Sequence, residues 1–323
     1  MKSVIMGIDL GGTSIKLGLV NISGQIVQSL EWPTPKNKSY HEVIAAFERM
    51  SEQLLRESSY SWRDILGVGI GIPGFLDFST GSVFEVVNLG WHQVPLKEEL
   101  ERIWDVPVLL ENDANAAALG EMWTGAGKGA SHIICLTIGT GIGGGVIING
   151  DIYHGANGSA GEIGHITVKE QGGRPCNCGK KGCLETEASA TAIVLKTLEQ
   201  VKGASGLLKE EYAKQGNSIT AKSVVELAKL GDPTCQTIIA DAGTVLGKAL
   251  ANMCYLLNPE LIVIGGGISY AGEILFKPLT ESFRNFALPR VRENTSIVQA
   301  KLGNQAGIVG AASLIHHYDL LES

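Results

Sequence analysis

His165, Cys176, Cys178 and Cys183 fall close together in the chain, with Glu162 just before them and Glu185 just after. Three thiolate sulfurs and one imidazole nitrogen suit a tetrahedral zinc ion. Four protein ligands close such a site to water and substrate, which makes the ion structural. It would pin a glycine-rich loop and hold Glu162, His165 and Glu185 in fixed relation. An iron–sulfur cluster draws on similar donors but more usually takes four cysteines. A histidine by itself would read as a hydrogen-bonded surface residue; the three cysteines shift the reading to zinc.

A second set of residues combines carboxylates with glycines. Asp9-Leu10-Gly11-Gly12-Thr13 joins two apolar segments as strand–turn–strand. The backbone N–H groups of such a turn can cradle phosphate oxygens, and Asp9 can hold a magnesium ion through water. A plain hairpin accounts for these residues equally well. Glu111-Asn112-Asp113 closes a buried strand ahead of an alanine-rich helix. Asn112 or Asp113 caps that helix. Asp113 is also placed to accept a proton from a substrate hydroxyl, where the positive helix end favours an anion.

The elements that must position these residues follow from periodicity. Residues 4–8, 15–20 and 25–30 read as a three-stranded meander, and Val43, Phe47, Met50 and Leu54 mark an amphipathic helix. Residues 65–70 form a strand, 75–85 a turn and strand, 96–103 a helix and 106–110 a buried strand. A similar unit follows: strand 133–138, a turn over Gly139–Gly145, and a return over 146–148. Helices are expected over 189–201, 221–230 (capped by Thr220), 233–257 behind Asp232-Pro233, 272–287 and from about 305, with strands at 261–264 and 296–300. The two halves share one grammar, which suggests a duplicated domain with a crevice between the copies. Gly69–Gly74 and Gly139–Gly144 both match G-x-G-x-x-G, yet neither opens a helix, so the dinucleotide reading fails. No P-loop pattern occurs.

The 323 residues exceed what one core usually serves, so two lobes are expected. A net charge of −7 argues against nucleic-acid and anionic-membrane partners. The N-terminus reads as a strand, not a signal peptide. Cys135, Cys235 and Cys254 sit in apolar contexts as buried thiols, and that usage fits a reducing cytoplasm. Lys16, Lys180 and Lys181 read as exposed charges, and His316-His317 as groups at a helix C-terminus.

Taken together, these segments resemble the ROK family within the sugar kinase/actin/Hsp70 superfamily. Asp9-x-Gly11-Gly12-Thr13 and Gly139-Thr140-Gly141-x-Gly143-Gly144 look like its two phosphate motifs, and Gly265-Gly266-Gly267 like its adenosine-side turn. Asn112-Asp113, Glu162-x-x-His165 and Cys183-Leu184-Glu185 look like its sugar and zinc signatures. The resemblance implies an α/β, ribonuclease H-like fold with an interlobe active-site crevice and a structural zinc loop. It implies an N-terminal lobe over 1–113 and a larger C-terminal lobe over 114–323, with the last helix packing back on the first lobe. It also implies ATP and magnesium at Asp9, Gly11, Gly12, Thr13, Gly139, Thr140, Gly141, Gly265 and Gly266. Sugar would be held by Asn112, Asp113, Glu162, His165 and Glu185, with Asp113 as general base; a cytoplasmic homodimer is expected. The segments Glu111–Glu121 and Asn88–Trp91 resemble those of glucose-phosphorylating members. Mannose, fructose, N-acetylglucosamine and N-acetylmannosamine are the rival substrates. A DNA-binding sugar sensor of the same family needs a helix-turn-helix ahead of the first strand, which here starts by residue 4.

Overall fold

The computed structural model describes residues 3–36, 39–78 and 80–317. The chain opens with β1 (Val4–Leu10), β2 (Ser14–Asn21), β3 (Ile26–Pro33), α1 (Tyr40–Glu57) and β4 (Ile65–Ile72). A short meander follows, of β5 (Phe75–Asp77), β6 (Ser82–Val86) and β7 (Trp91–Val94), then α2 (Leu96–Trp104), β8 (Val108–Asn112) and α3 (Asp113–Trp123). Next come β9 (Ile133–Ile138), β10 (Ile142–Ile148), β11 (Asp151–Ile152), α4 (Leu184–Ala188), α5 (Ala190–Gln200), α6 (Leu207–Lys214), α7 (Ala221–Lys229) and α8 (Pro233–Leu257). The last elements are β12 (Leu261–Gly265), α9 (Glu273–Phe286), α10 (Pro289–Asn294), β13 (Ser296–Gln299) and α11 (Ala306–His317). Two compact units result. One holds residues up to 131, 145–161 and those from 301; the other holds 132–144 and 162–300.

In the first unit the sheet runs β3-β2-β1-β4-β8, antiparallel from β3 to β1 and parallel from β1 to β8. Val4, Met6, Ile8 and Leu10 share a core with Val43, Phe47, Met50 and Leu54 of α1, as their spacings require. The alternate residues of β1 face α11, where Ile5 and Val20 meet Ile308, Ala312 and Ile315. That second contact is unusually close. A Cβ on Gly7 would lie 2.1 Å from the Ile308 carbonyl oxygen, and one on Gly69 would lie 1.7 Å from that of Ala311. A Cβ on Gly310 would lie 1.8 Å from the Ala116 carbonyl oxygen of α3. Glu121 ties the same helices together: it is buried and accepts from the backbone N–H groups of Ala126, Lys301 and Leu302.

In the second unit β12 lies between β9 and β13, parallel to both, with Ile262 opposite Ile134 and Ile297. Asp232 caps α8 by accepting from the Cys235 N–H at 3.0 Å, with Pro233 in the first turn. Gly243 and Gly247 let α8 approach the backbone of α9. No helix among the described residues is long and apolar enough to cross a membrane.

The α/β class and most elements agree with the sequence reading, and four details differ. The turn expected over Gly139–Gly145 ends at Gly141, because β10 already begins at Ile142. Gly145 is glycine for packing: a Cβ there would lie 2.6 Å from that of Ala118. The strand expected over 106–110 extends to Asn112, which pairs with Ile72. Residues 75–86 form two strands rather than one, paired Asp77 to Ser82, and β7 adds a third. Helices α6 and α10 had no periodic signal, since each buries a single residue, Leu208 or Val291.

Because the atoms opposing Gly310 are backbone and cannot swing aside, Gly310→Ala should destabilise the protein by about 1–3 kcal/mol or more. Thermal melting checks this against Gly203→Ala, where no described atom lies near the added methyl and the melting temperature should stay within a degree or two of ~wild type.

Candidate functional site

The Cys178-Gly179 turn and the Pro175–Lys181 bridge fold the zinc-type sequence back on itself, and Thr167 bridges to Cys183. As a result the donor atoms of His165, Cys176, Cys178 and Cys183 all lie within 4.8 Å of one another. Cys178 Sγ and Cys183 Sγ are 3.6 Å apart, and Cys176 Sγ is 3.5 Å from His165 Nδ1. A tetrahedron with bonds of ~2.0–2.3 Å has edges of about 3.5–3.8 Å, so the donor set fits zinc. Without a metal, burial pushes the Cys176 and Cys183 thiols up, while the Lys180 backbone N–H holds the exposed Cys178 down. Lys180 is no simple solvated charge: its ammonium donates to the His165 carbonyl oxygen at 2.7 Å, closing the loop. The remaining cysteines match the expectation. Cys135, Cys235 and Cys254 are buried, and burial pushes the last two up to about 12.

Nδ1 of His165 faces the thiols, so its Nε2 is directed elsewhere, 3.8 Å from Glu162 Oε2. Burial, with Glu185 adding to it, raises the Glu162 carboxyl above the usual range. Glu185 joins the cluster to a glycine turn. Its Oε1 accepts from the Cys176 thiol at 3.0 Å, while a Cβ on Gly141 would lie 2.6 Å from its Oε2. The turn at Gly139-Thr140-Gly141 rests on the start of α5: Ala190 N–H donates to Gly139 O, and Thr191 Oγ1 donates to Thr140 O. Gly164 of the metal loop packs on Ile142, and Gly266, at φ +81°, packs on Ile138 beside Gly265 at the end of β12. The second unit thus brings together Gly139, Thr140, Gly141, Glu185, His165 and the thiols.

In the first unit Gly11, Gly12 and Thr13 form the tight turn between β1 and β2, closed by Gly11 N–H to Ser14 O at 2.8 Å. No described atom lies within 4 Å of a Cβ built on Gly12 or on Gly139. These glycines therefore leave room for a ligand to approach backbone N–H groups. Asp9, next to last in β1, lies beside Gly307, where a side chain would strike its carboxyl. Burial raises the Asp9 carboxyl, and Lys16, 3.4 Å away, opposes that shift. Lys16 is thus not a bland strand residue; Asp9 and Lys16 are cross-strand partners, a pairing that the strand–turn–strand register already contained. Asn112 is the helix cap: its Oδ1 accepts from the N–H groups of Ala114 and Asn115, and its Nδ2 donates to Gly74 O. Asp113 follows as the first residue of α3, with Oδ1 2.9 Å from the Ala114 N–H. His316 and His317 do more than end a helix, since His316 stacks on Trp123 and His317 pairs with Asp151 at 2.7 Å.

The two five-stranded sheets, the glycine turns and the metal-type loop together make an α/β protein. The chain belongs to the ROK family, whose model matches residues 5–318. It is 45% identical over 311 residues to a glucokinase of Halalkalibacterium halodurans, spanning 96% of this chain and 94% of that one. It is 41% identical over 315 residues to a glucokinase of Thermotoga maritima, spanning 97% and 98%. The fold matches a ROK family glucokinase from Streptomyces griseus, solved with glucose and AMPPNP, at a TM-score of 0.83 and 34% identity over 98% of this chain and 100% of that one. The resemblance drawn from the motifs is borne out.

Two measurements follow from this geometry. Metal analysis should find zinc at about one equivalent per chain, and Cys178→Ser should lose it together with thermal stability; unchanged metal content would remove the zinc assignment. Asp9, with its raised carboxyl, favours the fold while protonated. That contribution is lost as pH rises through its folded value, so the ionised group is a net cost at neutral pH. Asp9→Asn should therefore melt higher than the parent at pH 7, and Lys16→Met should move the Asp9 carboxyl resonance titration further up.

Proposed function

We propose that the chain is a glucokinase that moves the γ-phosphoryl group of ATP to the 6-hydroxyl of glucose, giving glucose 6-phosphate and ADP. The observation that carries this reading is Glu185. One carboxylate reaches from the metal-type cluster to the glycine turn at Gly141, so a sugar-hydroxyl acceptor and a phosphate cradle belong to one construction. The glucokinase relatives at 45% and 41% identity support it.

Sugar hydroxyls would bond to Asn112, Asp113, Glu162, His165 and Glu185, groups that accept or donate in fixed directions. With its Oδ1 engaged in the cap, Asn112 offers the sugar an Nδ2 N–H. A metal on Nδ1 of His165 would fix the tautomer and leave its Nε2–H to donate. Ligation would also remove the Cys176 thiol proton that Glu185 accepts, which frees Oε1 for a hydroxyl. Asp113 takes the proton from the 6-hydroxyl as its oxygen bonds to the γ-phosphorus. The bond from that phosphorus to the β–γ bridging oxygen breaks, and ADP leaves. Base catalysis of this kind typically contributes about 10²–10⁴-fold. The turns at Gly11, Gly12 and Thr13 and at Gly139, Thr140 and Gly141 would bond phosphate oxygens through backbone N–H groups, with Gly265 and Gly266 on the adenosine side. Magnesium, when bound with ATP, neutralises phosphate charge, and Asp9 is the carboxylate that would hold it.

Coupled ADP release across a panel of hexoses and amino sugars tests the reading. Glucose should give the highest kcat/KM, and Asp113→Asn should lower kcat by roughly 10²-fold or more with little change in the KM for ATP. Full activity in Asp113→Asn would remove the base, and turnover of N-acetylmannosamine without glucose would change the substrate while keeping the chemistry.

A further inference from the structure

The carboxylate of Glu111 is almost completely buried, with 2% of the residue exposed, directly before Asn112 and Asp113. Burying a carboxylate is costly, and an apolar residue of similar volume is often as stable or more so. What Glu111 supplies is direction. Its Oε1 accepts from the backbone N–H of Asn112 at 2.8 Å and from Nδ2 of Asn115 at 3.0 Å. Its Oε2 lies 2.7 Å from Nε2 of His154. The side chain thus folds back on the last peptide of β8, holds the first turn of α3, and reaches the segment that follows β11.

His154 is fixed in turn from two sides. The Phe78 ring lies over its imidazole at a centroid distance of 3.8 Å, and the His154 carbonyl oxygen accepts from the Ala160 N–H, closing the 154–160 loop. Asn112 is tethered to the start of the same hairpin through Gly74 O. Cavities of about 810 and 270 Å³ flank the Phe78–His154 pair, so the pair stands as a thin wall whose orientation is not set by dense packing alone. Asp77 and Glu85 line the larger cavity with His154, and Asp77, Lys97 and Glu111 line the smaller one with it.

We propose that Glu111 and His154 are a positioning pair for the reaction, holding the Asn112-Asp113 peptide at the angle that aims Asp113 and tying that angle to the 154–160 loop. The proposal rests on the reading of Asp113 as base. Neither residue exchanges a proton with substrate. Their contribution is geometric, and a displacement of ~1 Å at a reacting group can lower a rate by about 10²-fold.

The full-length chain carrying His154→Ala, Glu111→Gln or both Glu111→Gln and His154→Gln tests this by steady-state kinetics, melting and hydrogen exchange. His154→Ala should lower kcat about 10–100-fold while the KM for ATP stays within twofold of ~wild type. Glu111→Gln keeps an acceptor for Asn112 and Asn115 and can donate to neutral imidazole, so near neutral pH it should retain most of kcat. The double variant keeps an amide partner at each position and should likewise retain more of kcat than His154→Ala. Exchange over 108–116 and 153–161 should quicken together in His154→Ala, with 40–57 unaffected. A lower melting temperature with unchanged kcat in His154→Ala, or a loss of kcat in Glu111→Gln as large as in His154→Ala, would overturn the pair while leaving the kinase reading intact. If no sugar is phosphorylated by the parent, the kinase reading falls, and the exchange data still decide whether the two segments are coupled.

Discussion

Helix α11 can lie on β1, β4 and α3 only because glycines stand where the backbones meet. At Gly7, Gly69 and Gly310 a methyl group would fall within about 2 Å of a carbonyl oxygen, well inside van der Waals contact. The first unit depends on that approach. It sets the face of β1 that carries Asp9, leaves space at Gly307 for the Asp9 carboxyl, and braces α3, whose first residue is Asp113. Buried Glu121 adds direction to the same contact through backbone N–H groups, where apolar packing gives none.

The second unit solves a different problem. A glycine-rich loop has large conformational freedom and little apolar surface, so it cannot hold side chains in register by packing. Four soft donors at tetrahedral spacing can, with the Lys180 ammonium closing on the His165 carbonyl oxygen. Through Glu185 the order imposed on the loop reaches the Gly139–Gly141 turn, which is itself held by the first turn of α5. A metal held by those donors would stand in for a hydrophobic core in this loop.

Local signals made much of this legible from sequence. The meander, the α1 stripe and the Asp232-Pro233 start of α8 depend on neighbours a few residues away, and each formed where expected. The ligand set of the metal-type cluster was equally local. Long-range contacts stayed hidden. Gly145 reads as a turn residue until Ala118 is seen beside it, and α6 and α10 each bury too little to leave a pattern. The Asp9–Lys16 pair lay within reach, since the hairpin register already placed them opposite each other. Of the partners of Glu111, Asn115 stands one helical turn away, whereas His154 is 43 residues distant and nothing local announces it.

The placement of α11 has a consequence in time. During synthesis β1, β4 and α3 emerge first, yet the helix that covers Ile5 and Val20 is made last. At about 5–20 residues per second the wait between α3 and α11 is on the order of ten to forty seconds. Throughout that interval one face of the first sheet lacks the cover of α11, while the second unit gains all of its own strands and helices. The last-made helix is therefore the step that ends the nascent chain's exposure to aggregation, and the half of the protein that begins first is the half that finishes second.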